Sequence, residues 1–88
     1  MNRKEQFLEI ANELAEFFQK KNTHYGDDYF TGKYSDIERW MSIKRKVARL
    51  SSFYEKGNTN VPDETLEDTW KDLAIYCVME LMLKKSKK

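Results

Sequence analysis

The 88-residue sequence predicts a single all-α domain of three helices, completed by association with further copies of the same chain. Two stretches, about residues 2–22 and 35–56, repeat apolar residues at helical spacing. A third, residues 63–84, is acidic in its first half and apolar nearly all round in its second. Such a helix needs cover on every side, which two other short helices can hardly supply. We therefore expect the third helix to form a subunit interface.

The composition favours a folded domain and limits the classes of partner. Apolar residues make up 40% and aromatic residues 14% of the chain, which argues against disorder despite 35% charged residues. The net charge of +1 is not that of a protein whose whole surface binds nucleic acid. The single cysteine, Cys77, cannot form an internal disulfide, which fits a reducing cytoplasm. The longest uncharged apolar run, residues 73–79, is too short to span a membrane.

The first helix, about residues 2–22, is predicted from one apolar face without an interrupting glycine or proline. That face consists of Phe7, Ile10, Ala11, Leu14 and Phe18. On the same helix Glu13 and Glu16 are three residues apart, a spacing that can present two carboxylates to one metal ion. Exposed glutamate pairs are also common on helices, so both interpretations stay open.

A loop is predicted at residues 23–34, where Gly26 and Gly32 supply backbone freedom that helices penalise. The segment is rich in aromatic residues for a simple connection. They are Tyr25, Tyr29, Phe30 and Tyr34. Their rings can stack on a base, or they can cap the core of a small protein.

The second helix, about residues 35–56, has clear signals at both ends. Ser35 and Glu38 match a capping box, and Gly57 is a typical stop signal. Basic residues lie opposite its apolar face. Lys46 and Arg49, three residues apart, can converge on one anion such as a phosphate. The alternative is an ordinary solvated basic face.

The third helix, residues 63–84, carries an acidic stripe and leads into a short basic tail at residues 84–88. Glu64, Asp68 and Asp72 recur every four residues, and each such like-charge pair costs about 0.2–0.5 kcal/mol. Asp72 lies two turns into the helix, beyond the reach of the helix dipole. Either a Mg²⁺ ion or the Lys46/Arg49 pair would compensate its charge. The metal alternative suits a nucleotide, because Mg²⁺ usually binds one or two carboxylates together with substrate phosphates.

Four blocks follow one another along this sequence: K-N-x-x-Y-G at residues 21–26, Phe30, K-x-x-R-L at residues 46–50 and DETLEDTWKDLAIY at residues 63–76. Together they resemble the phage nucleotide modification-associated domain family. In that family the last block typically reads E-D-T-x-x-D-x-A-x-Y. The resemblance implies an all-α protein of phage or prophage origin, encoded near genes of nucleotide and DNA-base modification.

The layout is also similar to the all-α nucleoside triphosphate pyrophosphatases of the MazG-like and dimeric dUTPase group. In those enzymes an ExxE pair on one helix and acidic residues on a later one hold Mg²⁺ around a nucleoside triphosphate. The resemblance implies that Glu13/Glu16 and the pair Glu64/Asp68 would take those places.

These observations suggest a phage-encoded nucleotide-binding protein in the cytoplasm of an infected bacterium, involved in nucleotide metabolism or modification. The residues expected to bind phosphate and base are Lys21, Lys46, Arg49, Tyr25 and Tyr29. If the protein hydrolyses a phosphoanhydride, a Mg²⁺ ion would activate the attacking water. The carboxylates expected to hold it are Glu64, Asp68, Asp72 and Glu16.

Two other functions fit the same residues. One is a non-catalytic sponge that sequesters a nucleotide, such as a cyclic signalling nucleotide of host defence. A homo-oligomer, dimeric or larger and assembled through residues 63–84, would give such a protein symmetric pockets. The other is a helical interaction protein that inhibits a host protein, in which the acidic stripe recruits the partner.

Overall fold

The computed structural model describes residues 2–25, 27–57 and 66–86, without the side chains of residues 23–25. The chain forms α1 (Arg3–Tyr25), a short 3₁₀ helix (Asp28–Phe30), α2 (Asp36–Lys56) and α3 (Leu66–Ser86). The described ranges contain no β-strand. The prediction of an all-α protein with three helices is therefore confirmed.

The helix boundaries differ from the predicted ones by a few residues. The α1 helix continues to Tyr25 rather than stopping near residue 22, and the first glycine or proline of the sequence comes only at position 26. The segment predicted as a loop at 23–34 is correspondingly shorter, and its centre is the 3₁₀ helix. The α3 helix ends at Ser86, two residues beyond the prediction. Its predicted start at residue 63 lies outside the described residues.

Both predicted end signals of α2 are confirmed. The Ser35 hydroxyl accepts a hydrogen bond from the Glu38 N–H at 3.2 Å, and the Glu38 carboxylate accepts one from the Ser35 N–H at 2.9 Å. At the other end Gly57 adopts the left-handed conformation, with φ 67°, and its N–H donates to the Ser52 carbonyl. A residue with a Cβ would be strained there, so the glycine ends the helix.

The α3 helix packs against both α1 and α2, but the core between them is small. Among the described residues, the buried apolar side chains are Leu50 of α2 and Ile75 of α3, next to the fully buried Thr69. The chain exposes 7218 Å², whereas a compact monomer of this size exposes about 5,500 Å². Three helices of this length therefore leave much apolar surface uncovered.

Exposed apolar side chains occur on all three helices. The largest are Phe7, Leu8, Ile10 and Phe17 on α1, Ile37, Trp40, Met41, Val47 and Tyr54 on α2, and Trp70, Val78, Leu81 and Met82 on α3. On α3 they remain exposed, although Trp70 also contacts Tyr54 of α2, as expected for a helix that is apolar nearly all round. Within the described ranges, none of the helices combines the length and the apolar character needed to cross a membrane.

Candidate functional site

An open cleft of about 530 Å³ lies where the three helices and the segment after α1 meet. Its lining residues come from α1 (Phe18, Lys21, Asn22), from the connection (Asp28, Tyr29, Tyr34), from α2 (Glu38, Arg39, Ser42, Arg45, Lys46) and from α3 (Asp72, Ile75, Tyr76, Met79). Basic, acidic and aromatic side chains thus share one concave surface. Ligand pockets commonly combine aromatic walls with a few placed polar groups, and this cleft has both.

An ion-pair cluster of one residue from each helix, Lys21, Lys46 and Asp72, lies in the cleft. The Lys21 ammonium is 2.8 Å from Asp72 Oδ1, and the Lys46 ammonium is 3.0 Å from Asp72 Oδ2. The Asp72 side chain is only 16% exposed. Burial alone would raise the pKa of Asp72, but the hydrogen bonds from Lys21 and Lys46 outweigh it and lower that pKa below its usual value. Two cations and one anion leave this cluster with a charge of +1.

A second polar cluster fixes the connection between α1 and α2. Glu80 of α3 accepts hydrogen bonds from the Tyr29 hydroxyl and, at 2.9 Å, from Arg39 Nε. Arg39, 8% exposed, also donates to the Tyr34 carbonyl at 2.8 Å and to the Asp36 carboxylate. The guanidinium group therefore joins the α2 end of this segment to α3, while Glu80 itself holds Tyr29.

The electrostatics of the second cluster follow from its burial and its hydrogen bonds. Burial, and then the hydrogen bond to Glu80, raise the pKa of Tyr29 well above its usual range. For Glu80, burial alone would raise the pKa, but the hydrogen bonds from Tyr29 and Arg39 lower it overall. At neutral pH the cluster therefore contains a neutral phenol, a carboxylate and a guanidinium.

An aromatic wall adjoins these polar groups. The Tyr29 ring lies 5.6 Å from Phe30 and 6.1 Å from Tyr76 between centroids, and Phe30 meets Phe18 edge-on at 6.1 Å. Phe30 packs against Phe18 of α1, as the core alternative expects, whereas Tyr29 lines the cleft. Stacking of Tyr29 on a base stays a prediction.

Three of the five residues predicted to bind the nucleotide lie together in the cleft: Lys21, Tyr29 and Lys46. Arg49 is half-buried one turn along α2 from Lys46 and is not among the described lining residues. Tyr25 is the last residue of α1, and its side chain lies outside the described part of the chain.

The residues predicted to hold Mg²⁺ do not converge in the described part of the structure. Asp72 lines the cleft, whereas Asp68 and the exposed Glu16 are not among its lining residues. Glu64 lies outside the described residues. Within those ranges no three histidine, cysteine or acidic side chains form a group that could hold a metal. Both Asp72 oxygens contact lysines, and the Mg²⁺ site stays a prediction.

Sequence reasoning missed the second polar cluster and the contribution of Arg45, which lines the cleft and donates to the Ser42 hydroxyl at 3.2 Å. One signal pointed to the cluster. Glu80 is the single charged residue between Leu73 and Leu83. A carboxylate among apolar residues is rarely buried unless it is paired, so its position indicated a partner on another element.

Comparisons of the chain with protein-family models, curated proteins and solved structures find no match. The resemblance to the phage domain family therefore stays a prediction from the sequence blocks. Function is inferred from the cleft and its charges.

Proposed function

We propose that the protein binds a nucleotide in the cleft, with a phosphate against Lys21 and Lys46 and the base against Tyr29. The observation that carries this proposal is the meeting of these residues, from three different elements, around one cavity of about 530 Å³. Pockets for small ligands commonly have volumes of about 300–1,000 Å³.

The charges of the cleft support an anionic ligand. The cluster of Lys21, Lys46 and Asp72 has a charge of +1, and Arg45 adds a further cation on the same lining. An ammonium group has three N–H donors, so Lys21, which donates to Asp72 Oδ1 at 2.8 Å, can also donate to a phosphate oxygen. A phosphate would thereby exchange solvent contacts for charge-assisted hydrogen bonds.

The aromatic wall supports a planar group beside the phosphate. The Tyr29 hydroxyl donates to Glu80, and the Arg39 guanidinium lies 5.8 Å from the ring centroid, so a ligand would contact the remaining part of the ring. Stacking of a base on an aromatic side chain contributes about 1–3 kcal/mol in known complexes. Tyr34 and Tyr76 lie on the same lining and would enclose such a base further.

Binding without turnover is the form of this function that the geometry supports best. The acidic residue nearest to the lysines, Asp72, pairs both of its oxygens with lysines rather than with a metal ion. Together with the resemblance to phage proteins, this favours a sponge that sequesters a nucleotide, such as a cyclic signalling nucleotide of host defence. Mg²⁺-dependent hydrolysis of a phosphoanhydride is the alternative within the same proposal.

Self-association is part of the proposal. The surface of 7218 Å² exceeds that of a compact monomer by about 1,700 Å². One partner in a standard interface buries about 800 Å². The exposed apolar residues of α3, Trp70, Val78, Leu81 and Met82, are the part of this surface that we assign to subunit contacts.

A panel of linear and cyclic nucleotides, incubated with the purified protein with and without Mg²⁺, tests the function. The filtrate is analysed by chromatography before and after the protein is denatured by heat. For a sponge, one nucleotide disappears without Mg²⁺ and returns intact on heating, whereas new products that require Mg²⁺ would indicate a hydrolase. Lys46→Ala is expected to lose most of the binding, and Lys85→Ala, an exposed lysine at the end of α3, is the control. An unchanged panel would instead favour the helical interaction protein.

A further inference from the structure

We infer that Asp72 is an internal competitor for the phosphate of the ligand and thereby determines how strongly the cleft binds anions. This inference rests on the proposed function, because it concerns the same cleft. It assigns Asp72 a role other than metal binding. It also explains why a carboxylate stands between the two lysines expected to bind phosphate.

The geometry of the ion-pair cluster is the first support. Asp72 Oδ1 accepts a hydrogen bond from Lys21 at 2.8 Å, and Asp72 Oδ2 accepts one from Lys46 at 3.0 Å. A phosphate group could bridge two ammonium groups in the same way, with two of its oxygens. The carboxylate therefore occupies the kind of position that two phosphate oxygens would take.

The charge of the cluster is the second support. With Asp72 ionised, the two lysines and the carboxylate sum to +1, and without it they would sum to +2. The lowered pKa of Asp72 keeps the carboxylate charged at neutral pH, so the competition operates under ordinary conditions. Removing one negative charge within a few ångströms of a bound phosphate is expected to tighten binding about tenfold in a half-buried site.

A purely structural role for Asp72 predicts the opposite result. If the carboxylate mainly holds the lysines in place for the ligand, its loss disorders them and weakens binding. The two roles therefore predict opposite changes in phosphate affinity when the Asp72 carboxylate is removed: tighter binding for a competitor and weaker binding for a positioning residue. Lys46 is only 21% exposed, so Asp72 also relieves the cost of a partly buried cation when no ligand is bound.

The experiment compares wild type with Asp72→Asn by isothermal titration calorimetry, using ATP, inorganic pyrophosphate and adenosine as probes. We expect Asp72→Asn to bind ATP and pyrophosphate about tenfold more tightly. Its affinity for adenosine, which has no phosphate, should stay within twofold of the wild-type value. Asp72→Ser, which brings no amide N–H towards the lysines, provides a second measurement. Glu67→Gln removes the same charge from an exposed position of α3 and is the matched control.

The possible outcomes separate this inference from the proposed function. Tighter binding of pyrophosphate by both Asp72 variants, with no nucleotide bound by any protein, supports the competitor and overturns the nucleotide proposal. ATP binding that is unchanged or weaker in both variants overturns the competitor and leaves the nucleotide proposal standing. Equal increases in ATP and pyrophosphate affinity for Glu67→Gln and Asp72→Asn would also overturn the inference, because the effect would then come from net charge alone.

Discussion

At the residue scale, two carboxylates on α3 hold the walls of the cleft together. Asp72 connects α3 to Lys21 of α1 and Lys46 of α2, and Glu80, two turns further on, connects it to Arg39 and Tyr29. Partly buried charges of this kind are tolerated because each has several hydrogen-bond partners. These polar contacts therefore connect the cleft residues of all three helices across a small apolar core.

Removing the Glu80 carboxylate is expected to destabilise the protein strongly. Glu80→Ala leaves the buried Arg39 guanidinium without its ion-pair partner on α3 and should lower the free energy of unfolding by about 3 kcal/mol. The measurement is urea unfolding followed by circular dichroism. Glu67→Ala, at a glutamate whose side chain is 80% exposed on the same helix, should change stability by less than about 0.5 kcal/mol. Equal effects of the two substitutions would contradict the role of Glu80.

Acid is expected to weaken the fold through the same carboxylates. The pKa values of Asp72 and Glu80 are lowered in the folded state, so both groups contribute stability above their unfolded pKa values of about 4. That contribution is lost as the pH falls through their lower folded values. Unfolding in urea between pH 7 and pH 2 should show Asp72→Asn less stable than wild type at pH 7. The difference should disappear towards pH 2, and a constant difference would count against the ion pairs.

At the element scale, α2 is the helix with the strongest local signals, and it supplies the largest share of the cleft lining. Its capping box fixes the first turn, where Glu38 and Arg39 lie. Its left-handed Gly57 fixes the last turn. The register of α2 is thus defined at both ends, which holds Arg45 and Lys46 at fixed positions along the cleft.

Loss of the cap is expected to have a moderate effect on stability. Ser35→Ala removes the acceptor for the Glu38 N–H and should cost about 1 kcal/mol. Ser35→Asp, which retains a side-chain acceptor, is the control and should stay close to wild type. The free energy of unfolding in urea measures both. If alanine and aspartate behaved alike, the hydrogen bond of the cap would not be the stabilising contact.

At the scale of the whole molecule, the uncovered apolar surface predicts self-association. Leu81 of α3 is 63% exposed, so Leu81→Glu should leave the fold of a single chain intact while placing a charge in the proposed interface. Size-exclusion chromatography with light scattering should show an oligomer for wild type and a smaller species for the variant. The wild-type unfolding midpoint should also rise with protein concentration.

The control for this prediction is Ser86→Glu, which adds the same charge at an exposed position near the end of α3. Light scattering should give this variant the same oligomer mass as wild type. A monomeric wild-type protein at micromolar concentration would refute self-association and would require another cover for the apolar face of α3.

Local sequence patterns determined the fold class, the three helices and the ends of α2. Helical periodicity and capping depend on residues within one or two turns, so they can be recognised without knowing the fold. Helical spacing also identified Lys46 and Asp72 as candidate site residues, while Tyr29 came from the aromatic-rich segment and Lys21 from the family resemblance. Local patterns did not determine that Lys21 is the second partner of Asp72, because that contact joins residues 51 positions apart.

Only the tertiary structure decided which charges neutralise one another. The sequence left Asp72 open to a metal ion or to basic residues of the second helix, and the fold surrounds it with Lys21 and Lys46. The fold also places Arg39, one of several basic residues on α2, against Glu80 instead of in solvent. The physical reason is that ion pairing depends on distances between helices, which the packing of apolar faces sets and no local spacing encodes.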